Sequence, residues 1–274
     1  MVNGMPGNMA VLVARHILAD SRFNLIPYSL TGPEIPDSTW LVGSSVIALI
    51  RPKDRESMTE RIRETKSEII MIDYTHPTAT HDNAAYYCRH GFPFVMGTTG
   101  GNRDLLTEAV RNSNISAIIA PNMGKQIVGF QAMMAYAAEQ FPGLFSGYSL
   151  KIRESHQSSK ADTSGTAKAM IGYFNRMGVP CRESDIEMIR DPEIQKHSLK
   201  VPDAFLGGHG WHTYTLTSPD KTVCFEFTHN VNGREIYVGG TLDAVVFLSK
   251  KTAEGSKGCA FDMMDVLSAS SPAM

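Results

Sequence analysis

The sequence predicts an α/β protein in which a doubly wound parallel sheet is followed by a second, α+β domain with an open mixed sheet. Three observations predict it. The chain start, Met1-Val2-Asn3-Gly4-Met5-Pro6-Gly7-Asn8-Met9-Ala10, reads as a strand end, a glycine turn and a helix. The short apolar runs Ile69–Asp73, Pro93–Met96 and Ser116–Ala120 alternate with helical patterns around 54–66, 78–90 and 102–111, as in parallel sheets buried on both faces. Beyond a helical stretch near 125–140 the pattern changes to strands and turns. The first domain is therefore Rossmann-like.

Taken in order, only Met1, Val2 and Asn3 precede the first glycine, so the expected first strand is either short or clipped, with the numbering starting inside the mature protein. Gly4 and Gly7 admit a pyrophosphate close to the main chain, and Ala10 allows close helix–strand packing. The spacing G-x-x-G-x-x-A is a weak dinucleotide fingerprint that gains meaning only from its β-α-β setting. The helix after it places Met9, Leu12, Val13, His16 and Ile17 on one face. Leu25–Leu30 reads as the second strand, with Pro27 as a local conflict because an interior strand wants an N–H there. Later strand ends carry the turns Tyr74-Thr75-His76, Gly97-Thr98-Thr99 and Ala120-Pro121-Asn122. Ligands bind outside the carboxyl ends of such strands, so these turns and the glycine loop describe one crevice.

In the second domain, Tyr148–Glu154, Ile186–Arg190, Gly210–Thr217, Thr222–His229 and Glu235–Val238 read as extended. Ser218-Pro219-Asp220-Lys221 is a turn, and Asn232-Gly233 is a hairpin signal. Val223, Phe225 and Phe227 alternate with Cys224, Glu226 and Thr228, as on a sheet with two different faces, and look able to pair with another copy. The chain then returns to helices around Leu242, Val245, Val246 and Leu248 and at Met263–Leu267. The expected domains are residues 1–125 with 240–274, for the dinucleotide, and 126–239, for substrate and oligomerisation.

The richest stretch is Glu154–Lys168, E-S-H-Q-S-S-K-A-D-T-S-G-T-A-K. Ala167, Met170, Ile171 and Phe174 fall at helical spacing after it, and Gly178 with Pro180 ends the pattern. The backbone N–H groups of Ser164, Gly165 and Thr166 would then open a helix, where a carboxylate or phosphate binds readily. Lys160 adds positive charge, and His156 titrates near neutral pH. A small anion in proton-coupled chemistry suits this set. The plainer reading is a capped helix after a polar loop; the glycine turn at the chain start favours the first.

With 26 Lys+Arg against 28 Asp+Glu, the formal charge is −2 and gives no reason to expect nucleic acid or an acidic membrane surface. No apolar stretch approaches the ~20 residues of a membrane helix, and no signal-peptide pattern opens the chain. Cys88, Cys181, Cys224 and Cys259 are scattered and read as reduced intracellular thiols. His209 and His212, with His229, form a tempting cluster, but no carboxylate or cysteine stands at ligand spacing, so no metal is expected.

Six segments, V-N-G-M-P-G-N-M, I-D-Y-T-H-P, F-V-M-G-T-T-G-G, A-P-N-M-G-K-Q, the Glu154–Lys168 run and H-N-V-N-G-R, resemble the dihydrodipicolinate reductase family in this order. The resemblance runs over essentially the whole chain. Gln157 after the histidine, D-T-S-G-T for D-A-P-S-G-T, and M-G-K-Q after Asn122 look like its plant-type branch. It implies NAD(P)H-dependent reduction of a cyclic imine dicarboxylate in the diaminopimelate route to lysine. His156 would give the proton, and Lys160, Thr99, Ser164, Gly165 and Thr166 would grip the carboxylates. Gly4, Pro6, Gly7, Asn8 and Met9 would line the pyrophosphate site, and Thr75 and His76 would approach the nucleotide. Gly97 and Thr98 would hold the nicotinamide end, Ala120, Asn122 and Met123 would close the crevice, and Arg234 would reach the adenosine.

The family's basic residues in and after the glycine loop are Asn8 and Val11 here, which leaves cofactor preference open. The second strand ends Tyr28-Ser29-Leu30-Thr31-Gly32 without a carboxylate, so Ser29 and Thr31 are expected to accommodate NADPH, with NADH also accepted. The resemblance further implies a homotetramer, or a dimer in the plant-type branch. It also implies a soluble intracellular location: cytoplasmic, or plastid stroma if a transit peptide is absent from this sequence. A different amino-acid dehydrogenase on the same plan and a non-catalytic assembly protein are the alternatives. The first has no evident need for E-S-H-Q-S-S-K, and the second no need to keep His156 and Lys160.

Overall fold

The computed structural model describes residues 1–65 and 68–270. It divides into two compact units, Met1–Lys125 with Glu235–Met274, and Gln126–Arg234. The last residue of the expected 54–66 helix, and residues 271–274 of the first domain, lie outside the described residues.

In chain order the main elements begin with β1 (Val2–Asn3), α1 (Asn8–Ala19), β2 (Tyr28–Leu30), β3 (Thr39–Val42) and β4 (Ser45–Ile50). Then come α2 (Arg55–Thr65), β5 (Met71–Asp73), α3 (Thr80–His90), β6 (Phe94–Met96), α4 (Arg103–Arg111), β7 (Ala117–Ile119) and α5 (Lys125–Gln140). The second unit adds β8 (Ser149–His156), α6 (Gly165–Arg176), β9 (Ile186–Ile189), β10 (His209–Thr217) and β11 (Cys224–Asn232). The return to the first unit supplies α7 (Glu235–Ala253), β12 (Ala260–Phe261) and α8 (Met263–Ser270).

The first unit holds a five-stranded parallel sheet in the order β1-β5-β6-β7-β12. Its strands are short and wholly apolar except at their ends, and β5, β6 and β7 are buried throughout. A second sheet, β2-β4-β3, adjoins it through side-chain and turn contacts: the Gly4 N–H donates to Leu30 O (2.8 Å), and the Leu30 N–H donates to Asn3 Oδ1 (2.9 Å). The chain leaves β1 on one side for β2 and returns on the other as β5. This reversal is the switch point at which such sheets bind ligands.

The α1 face that packs inward is Ala10, Val13, Ala14 and Ile17. His16 belongs instead to the exposed side, where it meets Glu235. Pro27 lies before β2 and offers only its carbonyl, to the Ala48 N–H (2.9 Å), so no ladder bond is lost.

The second unit carries a mixed sheet, β11-β10-β8-β9, antiparallel except for the parallel β8–β9 pair. Helix α6 buries Ala167, Met170, Ile171 and Phe174, the spacing read from sequence. On β11 the odd positions face the helices. Phe225 lies 5.5 Å from Phe145, and Phe227 lies 6.2 Å from Phe174, ring centre to ring centre. They pack within their own unit, while Val223 and Phe225 stay 40% and 44% exposed.

Two local expectations are corrected. Glu235–Val238 is the first turn of α7, not a strand, although Ile236, Tyr237 and Val238 are good strand formers. Burial of Val238, Leu242, Val245 and Leu248 along one helix outweighs that preference. Asn232-Gly233 is accordingly the turn into α7, with Gly233 at φ 74, and the hairpin of β10 and β11 is closed by the Ser218–Lys221 turn. The second segment of the first unit starts with this helix, at Glu235 and not at 240.

Candidate functional site

In the first unit the site begins at the glycine turn. Gly4 sits at φ 105, and a Cβ there would stand 2.1 Å from Tyr74 O, so only glycine lets the β1 and β5 ends come this close. Gly7 donates to Gly4 O (2.8 Å) and precedes α1 with no side-chain cap. With no acidic residue in the first turn of α1, its open N–H groups suit a phosphate. The Met5–Pro6 peptide bond is cis. A cleft of about 750 Å³ opens here, lined among others by Gly4, Pro6, Gly7, Asn8, Thr75 and His76. Met9 is half-buried beside it in α1.

Beneath the cleft lies Asp73, fully buried at the end of β5. Its Oδ1 accepts the Thr75 N–H (3.0 Å), the Thr75 hydroxyl (2.7 Å) and the Thr98 hydroxyl (2.7 Å). Its Oδ2 accepts Asn83 Nδ2 (3.0 Å) and the Tyr87 hydroxyl (2.8 Å). Burial, then the Asp73 charge, push the Tyr87 phenol well above its usual range, so it stays a donor. The Gly97 and Thr98 N–H groups both donate to Asp73 O (3.0 and 3.1 Å). One buried carboxylate thus locks two of the expected nucleotide-binding turns, a role the sequence reading missed. Its only signal was an acid at the end of an apolar strand.

A Cβ on Gly97 would lie 2.5 Å from the Tyr74 ring. The Tyr74 hydroxyl meets Thr241 Oγ1 (2.5 Å), and burial pushes its pKa up to about 12. Thr99 is exposed. Ala120 donates to Met96 O (3.2 Å), Asn122 Oδ1 accepts the Gly124 N–H (2.8 Å), and Met123 is buried with its carbonyl against Gly240.

Ser29 and Thr31 do not offer free donors to a phosphate. Ser29 Oγ accepts the Met5 N–H (3.3 Å), and Thr31 Oγ1 donates to Met5 O (2.6 Å), so both brace the glycine turn. The charged residues of the cleft are Glu34, folded back over Gly32, and Arg55, whose buried Nε has no partner among the described residues. Glu34 was overlooked because it stands four residues past the end of β2.

In the second unit, His156 ends β8. Its Nδ1–H donates to His209 O (3.0 Å), which fixes the ring and leaves the Nε2 lone pair buried without a partner among the described residues. Burial lowers its pKa to about 4, against the raising effects of the Glu154 charge and the His209 carbonyl, with Arg190 and Lys160 adding smaller lowering pushes. Lys160 Nζ pairs with Asp162 Oδ1 (2.6 Å). Glu154, wholly buried, receives Arg190 Nη2 on Oε1 (2.5 Å) and the Ser164 N–H on Oε2 (3.0 Å).

The start of α6 is therefore less open than its sequence suggests. Ser164 N–H is taken by Glu154, and Thr166 N–H by the Ser164 hydroxyl (3.2 Å); Gly165 N–H alone of the three has no acceptor among the described residues. Arg234 lies with its guanidinium over Gly208.

The histidine cluster also resolves. His209 is committed, donating from Nδ1 to Phe205 O (3.0 Å) and accepting the Ser155 hydroxyl at Nε2 (2.8 Å). His212 stacks on His229 at 4.6 Å. Glu154, His156 and His212 bring one ligand atom each within 4.8 Å of one another. Both Glu154 oxygens are already engaged, however, by Arg190 and by Ser164.

A glycine turn before an uncapped helix, at the switch point of a parallel sheet, together with a histidine–lysine pair ahead of a second helix start, defines a two-domain, nicotinamide-dependent oxidoreductase. Family models described as dihydrodipicolinate reductase, N-terminus, and dihydrodipicolinate reductase, C-terminus, match residues 1–123 and 127–267. The chain belongs to the dihydrodipicolinate reductase family. It is 48% identical over 268 residues to 4-hydroxy-tetrahydrodipicolinate reductase 2, chloroplastic, of Arabidopsis thaliana, covering 97% of this chain and 76% of that protein. It is 46% identical over 267 residues to probable 4-hydroxy-tetrahydrodipicolinate reductase 1, chloroplastic, of Oryza sativa subsp. japonica, covering 97% and 78%. The fold is similar to that of a dipicolinate-bound dihydrodipicolinate reductase from Paenisporosarcina sp. TG-14 (TM-score 0.62, 18% identity, 95% of this chain and 96% of that one).

Proposed function

We propose that the protein reduces 4-hydroxy-tetrahydrodipicolinate, or the dihydrodipicolinate formed from it, to tetrahydrodipicolinate in lysine biosynthesis. The observation that carries this reading is His156: a half-buried imidazole with a fixed Nδ1–H, an unpartnered Nε2 and Lys160 four residues on. When bound, the nicotinamide supplies the hydride. The residues of the first unit suit it, since α1 opens after Gly7 with no side-chain cap and no acidic residue in its first turn, which favours the pyrophosphate. Gly4, Pro6, Gly7 and Asn8 would hold the pyrophosphate, Thr75, His76, Gly97 and Thr98 the ribose and nicotinamide, and Ala120, Asn122 and Met123 the far wall.

In the second unit Lys160 and the Gly165 N–H, with Ser164 and Thr166, would engage the two carboxylates. The Lys160 ammonium would exchange Asp162 for substrate. At neutral pH burial keeps His156 uncharged. Two substrate carboxylates would offset the Lys160 and Arg190 charges and let Nε2 take a proton, which it then gives to the reduced ring. General acids of this kind contribute about 10²–10⁴-fold.

NADPH with NADH as a second cofactor remains the proposal, supported by Arg55 as a cation for the extra phosphate and limited by Glu34. A homotetramer would use the polar sheet face bearing Trp211 and Thr215, and light scattering tests it. Plastid stroma is the location in keeping with the Oryza and Arabidopsis relatives. Among the described residues, no helix is long and apolar enough to cross a membrane.

An assay with enzymatically generated dihydrodipicolinate, read at the nicotinamide absorbance, tests the function. Wild-type turnover is expected, with kcat lowered about 10²-fold or more in His156→Gln and both kcat and KM impaired in Lys160→Ala. A His156→Gln enzyme with full activity sinks the proton-donor role.

A further inference from the structure

The loop from Gln157 to Ser164 separates His156 from α6 and carries Lys160. One side chain from β8 and one from the end of β9 hold it. The Arg190 guanidinium donates from Nε to Lys160 O (2.7 Å) and from Nη2 to Asp162 O (3.3 Å). The same Nη2 reaches Glu154 Oε1 (2.5 Å), and Glu154 Oε2 takes the Ser164 N–H (3.0 Å). Glu154 is 0% exposed at its side chain and Arg190 18%.

A buried ion pair is weak evidence for stability, because well-packed apolar residues often serve as well. This one is also built for more than packing. Its two side chains grip three backbone groups of a single loop, at residues 160, 162 and 164, and Glu154 stands two residues before His156 on the same strand. Three groups of the proposed chemistry meet at it: the imidazole, the ammonium and the helix start.

We propose that Glu154 and Arg190 form one positioning unit for the reaction, setting Lys160 and the start of α6 in place relative to His156. The proposal rests on the assignment of His156 and Lys160 made above. The pair also places a negative and a positive charge near the imidazole, with opposite effects: Glu154 raises the His156 pKa and Arg190 lowers it. Neither residue touches substrate in this scheme. Each acts through the loop and through the field at His156.

The test is steady-state kinetics of Glu154→Gln, Arg190→Met, Arg190→Lys and the Glu154→Gln/Arg190→Met double variant, with dihydrodipicolinate and NADPH across pH. Misplacement of about 1 Å can lower the rate about 10²-fold, so each single variant is expected to lose roughly that in kcat/KM. NADPH affinity, read by fluorescence titration, should stay within about twofold. The double variant should be no worse than the poorer single one, as for residues acting as a unit.

His156 must be protonated to act, so kcat falls as pH rises through its pKa in the complex. Glu154→Gln is expected to move that limb to lower pH and Arg190→Met to higher pH, while Arg190→Lys raises KM and leaves the limb in place. A purely structural pair would not give shifts of opposite sign. Should one variant fail to fold by circular dichroism, the remaining limb shift and Arg190→Lys decide the matter. Folded variants with wild-type kinetics and limbs, or strictly additive losses in the double variant, overturn the positioning unit. A wild-type enzyme that does not turn over this substrate overturns the underlying reading instead.

Discussion

Thr75 and Thr98, 23 positions apart on turns after different strands, donate their hydroxyls to the same oxygen of Asp73, each over 2.7 Å. The turns after β5 and β6 are therefore tied to one carboxylate. A cofactor contacting either meets a surface whose geometry is fixed before it arrives, and preorganisation of this kind lowers the ordering that binding requires.

Asp73→Asn should break that link. The amide presents two N–H donors to a site already occupied by five donors, so at least one of the five is left without an acceptor. A buried unsatisfied group costs about 1–3 kcal/mol. The expected outcome is a Tm lower by about 5 °C and a KM for NADPH raised about tenfold, with KM for the dicarboxylate little changed. Thermal melts and initial rates check it; equal rises in both KM values would mean that Asp73 serves overall folding only.

Gly4→Ala isolates the close approach of β1 to β5. The new Cβ would lie 2.1 Å from a backbone carbonyl oxygen, at φ 105, where side chains are rarely accepted. Relaxation must shift the turn itself, at about 1–3 kcal/mol for the backbone angle alone. Loss of tight NADPH binding is expected in a chain that still folds. Gly7→Ala, where φ is −57 and the new Cβ would lie 2.7 Å from Gly4 O, combines an allowed backbone angle with a smaller overlap and should be milder. A titration showing Gly4→Ala and Gly7→Ala equally impaired would contradict this.

The parallel sheet and its helices were legible because their signals are local: an apolar run such as Ile69–Asp73 states a buried strand, and 167, 170, 171 and 174 state a buried helix face. The family resemblance rested on such contiguous segments too. What stayed hidden depends on pairs distant in sequence. Glu154 and Arg190 are 36 positions apart, and nothing in either segment shows that they meet. Ser164 looked like an open donor because its acceptor comes from another element. Glu235–Val238 misled for the converse reason, local strand preference being outweighed by packing along the whole of α7. Ser29 read as a phosphate donor because its position at the end of β2 is visible, whereas the direction of its hydroxyl toward Met5 is not.

Glu34 and Arg55 line the same cleft with opposite charge, which gives cofactor preference a direct handle. A carboxylate near the adenosine ribose accepts its hydroxyls and repels the extra phosphate of NADP. Glu34→Gln should therefore raise the NADPH-to-NADH ratio of kcat/KM about tenfold, equivalent to about 1.4 kcal/mol. Arg55→Met should lower it by a similar factor. Paired kinetics with both cofactors provide the measurement, and a ratio unmoved by either substitution would place the adenosine away from these residues.

Acid should weaken the second unit through its histidines before its carboxylates protonate. Burial lowers the pKa of His156 to about 4 and that of His229 below its ordinary 6.5, and it lowers His212 furthest, well below the same value. The folded chain thus binds fewer protons than the unfolded one between about pH 4 and 6.5. Stability in this window rises with pH: it is fully present above about 6.5 and is lost as pH falls toward 4. A Tm at pH 5 lower by ~5 °C than at pH 7 is expected. His229→Phe removes one of these groups at a position outside the proposed chemistry, where the ring already packs 5.7 Å from Phe130. That variant should keep wild-type kcat and show a shallower fall of Tm between pH 6.5 and 5 in a scanning-fluorimetry series. Parallel curves for the two proteins would show that His229 takes up its proton equally well folded and unfolded, and would remove burial as the source of the acid sensitivity at this ring.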